Sequence, residues 1–157
     1  MKELRMASHR IMGLVLLLVG LTATGARAEE PVIGYVKTVS GEATVNTGNN
    51  RVVAQPGTPL FLGSQLKTGP HSSLGVSFKD DTVMSFGPDT ELTVDDYLYE
   101  PSQGKLRLAS TLLKGTLNYL SGVIAKLKPD AVSVTTPSGI IGVRGTQFVV
   151  KVDPNAP

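Results

Sequence analysis

The chain has 157 residues, with 15 Lys+Arg against 13 Asp+Glu for a formal net charge of +2, and it contains neither cysteine nor tryptophan. The missing cysteines exclude disulfides, thiolate nucleophiles, thiolate metal sites and a lipid-anchored lipoprotein.

Residues 1–10 carry Lys2, Arg5 and Arg10 against Glu3; an apolar run over 11–20 fades through 21–25, and Ala26-Arg27-Ala28 follows. A basic start, an apolar stretch shorter than the about 20 residues of a membrane span, and small residues where a signal peptidase cuts describe a secretory signal peptide over 1–28. An uncleaved N-terminal anchor is the alternative. Cleavage predicts a periplasmic or extracellular product with no stable membrane span. It removes Lys2, Arg5, Arg10, Arg27 and Glu3, so residues 29–157 keep 11 positive and 12 negative side chains, a net of −1. No clustered basic footprint for nucleic acid remains. The 129 residues left are enough for one domain around a single core.

Within 29–157, short segments rich in Val, Thr, Leu and Phe alternate with Gly, Pro, Asp and Asn clusters, which predicts an all-β domain. Residues 32–39 ("VIGYVKTV") form a first strand. Residues 42–46 ("EATVN") and 51–54 ("RVVA") flank the polar turn "TGNN" as a hairpin. Two glycines six apart bracket Leu60-Phe61-Leu62, and "KTGPHSS" supplies another turn. Strands at 74–78, 82–86 and 91–94 follow, separated by "KDD" and "GPD". Alternation puts Leu74, Val76, Phe78, Val83, Leu92 and Val94 on the inner face. This spacing suits tight hairpins or a small solenoid, hence a small sandwich or β-roll. Residues 105–108 ("KLRL") read as a half-buried strand.

Over 112–128, Leu113, Leu117, Leu120, Ile124 and Leu127 follow helical spacing, yet Gly115 and Gly122 oppose one continuous helix, each costing about 1 kcal/mol against Ala. A strand at 115–120 and one short helix at 121–128, stopped by Pro129, reconcile the two. Strands at 131–135 ("AVSVT") and 146–152 ("TQFVVKV") close the chain.

The inventory for catalysis is thin. His71, the one histidine after residue 28, sits in a turn and lacks a positioned partner, and the usual zinc sets cannot be assembled. Asp80-Asp81, Asp89 and Asp95-Asp96 read as solvated turn residues; no D-x-[DN]-x-[DN]-G loop supports a calcium site. Tyr97 and Tyr99, two apart on an extended segment, are a possible ligand face for a sugar, set against ordinary partial burial. No S-x-x-K hydrolase motif occurs. The expectation is a non-enzyme with no metal and no cofactor.

The stretch "TPSGIIGVRGTQF" at 136–148 has the glycines of a phosphate loop without its spacing. G-x-x-G-x-x-G is not the dinucleotide G-x-G-x-x-G, and no G-K-[ST] follows. Its two G-x-x-G units lie in β-rich sequence, unlike the helix-flanked clamp of KH domains. A structural account covers each position. Pro137 pushes Thr136 to an extended conformation; Gly139, Gly142 and Gly145 permit bends or close backbone approach. The Arg144 fork either ties loop carbonyls or a carboxylate together, or faces a partner, the first being favoured.

"VSVTTPSGIIGVRGTQFVVKV" strongly resembles the signature of the FecR-like domain, in which a strand, Thr-Pro, a small-apolar stretch, Val-Arg-Gly-Thr, Phe and a last strand follow in order. Upstream, "GTPLFLGSQLKTGPHSSLGVSFKDDTVMSFGPDTELTV" looks like the same family's beginning, so the resemblance covers about 36–152. Thr136, Pro137, Arg144, Gly145 and Thr146 match its motif. The resemblance implies an all-β periplasmic domain, in well-known members the outer part of a regulator that senses an outer-membrane siderophore receptor and controls a sigma factor. Ten residues precede the apolar run here and little follows Val152, so what carries over is an exported interaction module. Its expected partner is a protein or a cell-envelope polymer. Alternatives are an accessory signalling subunit in an envelope-sensing or iron-uptake system, and a carbohydrate-binding or β-helical carbohydrate-active protein.

Overall fold

Alternating apolar residues between glycine and aspartate turns form strands because every second side chain can then be buried on one face. The computed structural model describes residues 29–155, so the expected signal peptide lies outside the described residues. In chain order the elements are β1 (Gly34–Ser40), β2 (Ala43–Thr47), β3 (Asn50–Val53), β4 (Pro59–Leu60), β5 (Gln65–Thr68), β6 (Ser73–Phe78), β7 (Val83–Phe86), β8 (Glu91–Glu100), β9 (Lys105–Leu120), α1 (Val123–Leu127), β10 (Val132–Thr136), β11 (Gly139–Gly142) and β12 (Gln147–Val152). The protein is all-β with one short helix, as expected. Its strands belong to one curled, largely antiparallel sheet shaped as a half-barrel. No helix among the described residues is long and apolar enough to cross a membrane.

The long strand β9 organises the sheet. Its first part pairs with β8 and, in parallel, with β10, whereas its last part pairs with β7 and β12. Two leaves therefore share this strand: β4-β1-β6-β7-β9-β12, and β3-β2-β5-β8-β9-β10-β11. Hairpins join β2 to β3, β6 to β7, β8 to β9 and β10 to β11, while the other pairings, such as β1 with β6 and the parallel β9 with β10, bring together strands that no tight turn connects. One core, from Ile33 to Val143, lies between the leaves, with Leu60, Val76, Met84, Leu92, Leu108, Leu112, Leu117, Tyr119 and Ile124 fully enclosed.

Four local expectations need correction. The strand expected at 105–108 and that at 115–120 are one strand of 16 residues. Glu91 opposes Lys114 while Leu92 opposes Leu112, so Leu113 is the extra residue of a β-bulge. Gly115 follows with φ 92°, and a Cβ there would strike Thr90. Across this irregularity the buried positions change from Leu106, Leu108 and Leu112 to Leu117 and Tyr119. That change of parity counterfeits helical spacing; Leu113, Leu120 and Leu127 are in fact exposed. On β7, Met84 and Phe86 face the core and Val83 is half-buried, because Met84 registers opposite Val76. The strand expected at 91–94 continues to Glu100, and β11, absent from the expectation, pairs with β10 inside the glycine stretch.

Candidate functional site

The glycine stretch is built by β10, β11 and the loop 143–146 that leads into β12. Thr136 ends β10 and donates from Oγ1 to the Gly139 carbonyl at 2.9 Å, closing the turn that Pro137 occupies. Gly139 has φ 156° and Gly145 φ 143°, conformations that L side chains rarely adopt. A Cβ at Gly142 would meet nothing within 4 Å, so packing does not require glycine there. Val143 turns inward, 2 % exposed, and anchors the loop. Arg144 turns outward with its side chain 83 % exposed, and its one hydrogen bond among the described residues is to Asp130 Oδ1 at 3.4 Å, in an equally exposed ion pair.

The loop carbonyls expected to meet Arg144 are held instead by Ser121. Its hydroxyl donates to the Gly145 carbonyl at 2.7 Å, and its backbone N–H donates to the Thr146 carbonyl at 2.8 Å. Sequence reasoning passed over Ser121, since one serine after a strand carries no local signal. Beyond the loop, Phe148 stacks on Tyr119 with centroids 4.9 Å apart. Phe148 and Val150 are half-buried, whereas Val149 stands 65 % exposed on the outer side and Ile140 of β11 74 % exposed. A groove of about 360 Å³ separates the 136–138 turn and Ile141 from Val150, Lys151, Val152 and Asp153.

A second polar constellation lies inside. Asp80, expected as a solvated turn residue, has no exposed surface. Its carboxylate accepts four hydrogen bonds: from Thr82 N–H (3.3 Å) and Tyr97 Oη (3.3 Å) on Oδ1, and from Thr82 Oγ1 (2.8 Å) and Ile124 N–H (3.2 Å) on Oδ2. The Asp80 N–H donates to Tyr97 Oη at 3.0 Å, and its carbonyl accepts from Val123 N–H at 2.7 Å. Asp80 thus satisfies the start of α1 from a turn some forty residues away in sequence. Gly122 is required here: a Cβ would strike the backbone of Asp80 and Thr82. The adjacent Asp81 is exposed with φ 65° and behaves as the turn residue expected.

Burial, and secondarily the Asp80 charge, raise the Tyr97 hydroxyl well above its ordinary range. Burial also pushes the Tyr119 hydroxyl up to about 12. Nearby Thr82 pulls the other way, but its hydroxyl is committed to Asp80 and Gly122 N–H, and Tyr119 Oη has no hydrogen-bond partner. Both phenols therefore stay protonated at neutral pH.

Tyr97 and Tyr99 lie on β8 where its second bulge, between Val94 and Asp96, resets the face. Both are half-buried against the core. The Tyr97 ring stacks on Phe78 at 5.6 Å, and both tyrosines border a shallow hollow with Val32, Lys79 and Leu98. His71 is an exposed turn residue with φ 54°. Among the described residues, no three His, Asp or Glu side chains gather as a metal site.

The sequence model described as FecR protein matches residues 64–156, more than half of the chain. This chain belongs to the FecR family. The matched region opens just before β5 and takes in the Asp80 turn, α1 and the whole glycine stretch. The FecR match leaves β1–β4 outside, although β1 pairs with β6 and β2 with β5 in the same sheet. No curated protein and no solved structure matches the chain.

Proposed function

We propose that this FecR-family chain is a non-enzymatic interaction module, exported to the periplasm or cell exterior, that binds a protein or cell-envelope component through its β surface. The observation that carries this is the outward presentation of the family's signature: Ile140, Arg144 and Val149 stand exposed on a segment whose neighbours Val143, Ser121 and Phe148 hold it in place. Ile140 and Arg144 line one hollow, and arginine is enriched at protein contact sites. Family membership favours a second reading, an accessory subunit of an envelope-sensing regulatory system, in which the same surface meets a signalling protein.

Export is tested by fractionating cells that produce the tagged chain: the processed form belongs outside the cytoplasm. Binding is tested with a photo-crosslinking residue in place of Ile140, Val149 or, as control, Leu62, which is also exposed. Adducts with a different protein or with envelope polymer should concentrate at Ile140 and Val149. Equal yield at Leu62, or none at the first two, would remove the signature from the binding surface.

A further inference from the structure

The second leaf ends in two free strands. Among the described strands, β3 pairs with β2 alone and β11 with β10 alone. Each is short, but free of the proline and bulges that protect many sheet edges. Each carries an apolar pair. Val52 registers with the buried Val45 and shares its side of the sheet while still 36 % exposed, and Val53 points outward, 70 % exposed; Ile141 registers with the buried Val134, leaving Ile140 outward and 74 % exposed.

Charge distinguishes the two edges. Residues 29–104 carry four Lys+Arg and ten Asp+Glu, a net of −6, while residues 105–157 carry seven and two, a net of +5. Locally, Glu29 and Glu30 border a hollow with Asn50, so two carboxylates stand at the Asn50 end of β3 and outnumber its one cation, Arg51. Arg144 stands just past the Gly142 end of β11, accompanied by Asp130, and residues 123–146 hold three cations against that single carboxylate.

We infer that β3 of one copy of this chain pairs antiparallel with β11 of a second copy, extending the leaf across molecules. Matching faces, since directly opposed residues share a side of a sheet, together with pairing apolar against apolar puts Val53 opposite Ile140 and Val52 opposite Ile141. Arg51 then opposes Gly142, and Glu29 and Glu30 approach Arg144 of the neighbour. Parallel pairing would carry Arg144 to the far end of β3, away from those carboxylates. Pairing β11 with β11 would bring two cation-rich edges together. The β3–β11 contact is heterologous, so the two ends of any open assembly each keep one free edge, and copies add in line unless curvature closes a ring.

Light scattering of the purified protein across a concentration series tests this. Wild type should gain mass through odd as well as even multiples of the monomer. Val53→Lys and Ile140→Lys should each remain monomeric alone, since lysine on an edge blocks pairing. Mixed, they should form one heterodimer and nothing larger, because each supplies the edge that the other lacks. Arg144→Glu should weaken association by on the order of tenfold, with Glu29→Lys plus Glu30→Lys restoring it; these exposed positions test the contact without altering a strand. A wild type still monomeric at roughly 1 mM, a mixture that stays monomeric, or a Val53→Lys protein that dimerises by itself would overturn the inference.

Discussion

Asp80 and Arg144 both lie in turns, and each meets the fate that its neighbours in sequence argue against. Asp80, in the polar run "KDDT", is sealed from solvent and accepts four hydrogen bonds. Arg144, set among glycines and apolar residues, projects into solvent toward Asp130. The difference lies in what the rest of the chain brings to each turn. Over the 79–82 turn the fold places α1 and the end of β8, whose N–H groups and phenol need an acceptor. Around 143–146 the carbonyls are already met by Ser121, so the guanidinium has nothing inward to satisfy. A charged side chain is buried where the fold supplies unpaired groups of complementary kind.

Removing the acceptor gives the largest expected effect. Asp80→Ala strands four donors in the interior and should destabilise the protein by about 2–4 kcal/mol, read as a lower midpoint in chemical denaturation. A loss no larger than that of a surface substitution would break the contrast between the two turns.

An intermediate effect comes from the phenols beside Asp80. A group whose pKa is raised on folding holds its proton while the unfolded chain releases it, so the folded state is weakened as pH climbs above the unfolded value. For Tyr119 the window runs from pH 10.0 to about 12, and stability should fall there by about 2 kcal/mol. Tyr119→Phe should reduce that alkaline loss while leaving stability at neutral pH nearly unchanged, since Oη has no partner to lose. Urea denaturation at pH 7 and pH 11.5 separates the two effects.

The smallest effect belongs to Arg144. Its exposed ion pair predicts that Arg144→Ala changes stability by no more than roughly 0.5 kcal/mol, seen as an unshifted thermal midpoint. A clear drop would return the arginine to the structural role that its sequence setting suggested.

Much of the strand layout was legible beforehand because glycine, proline and aspartate punctuate it locally: β1, β2, β3, β6, the start of β8, β10 and β12 all lie where alternation and turns put them. The site was legible in part. Thr136, Pro137, Gly139 and Gly145 do shape the turn and loop around β11, but Ser121 and Asp80 gave no warning, being an ordinary serine and one of several turn aspartates.

By itself, then, the amino-acid sequence determined the all-β character, most turn positions (though not Asp95-Asp96, which lie within β8), the short helix and the family signature, all of which depend on residues close together along the chain. Only the tertiary structure decided that β9 is one bulged strand shared by two leaves, that Asp80 caps α1, and that Arg144 faces out. Each of these depends on partners brought from tens of residues away: Thr90 against Gly115, Ile124 against Asp80, Gly145 against Ser121. Local spacing cannot encode such pairings, because the hydrogen bonds and close approaches exist only once the sheet has curled.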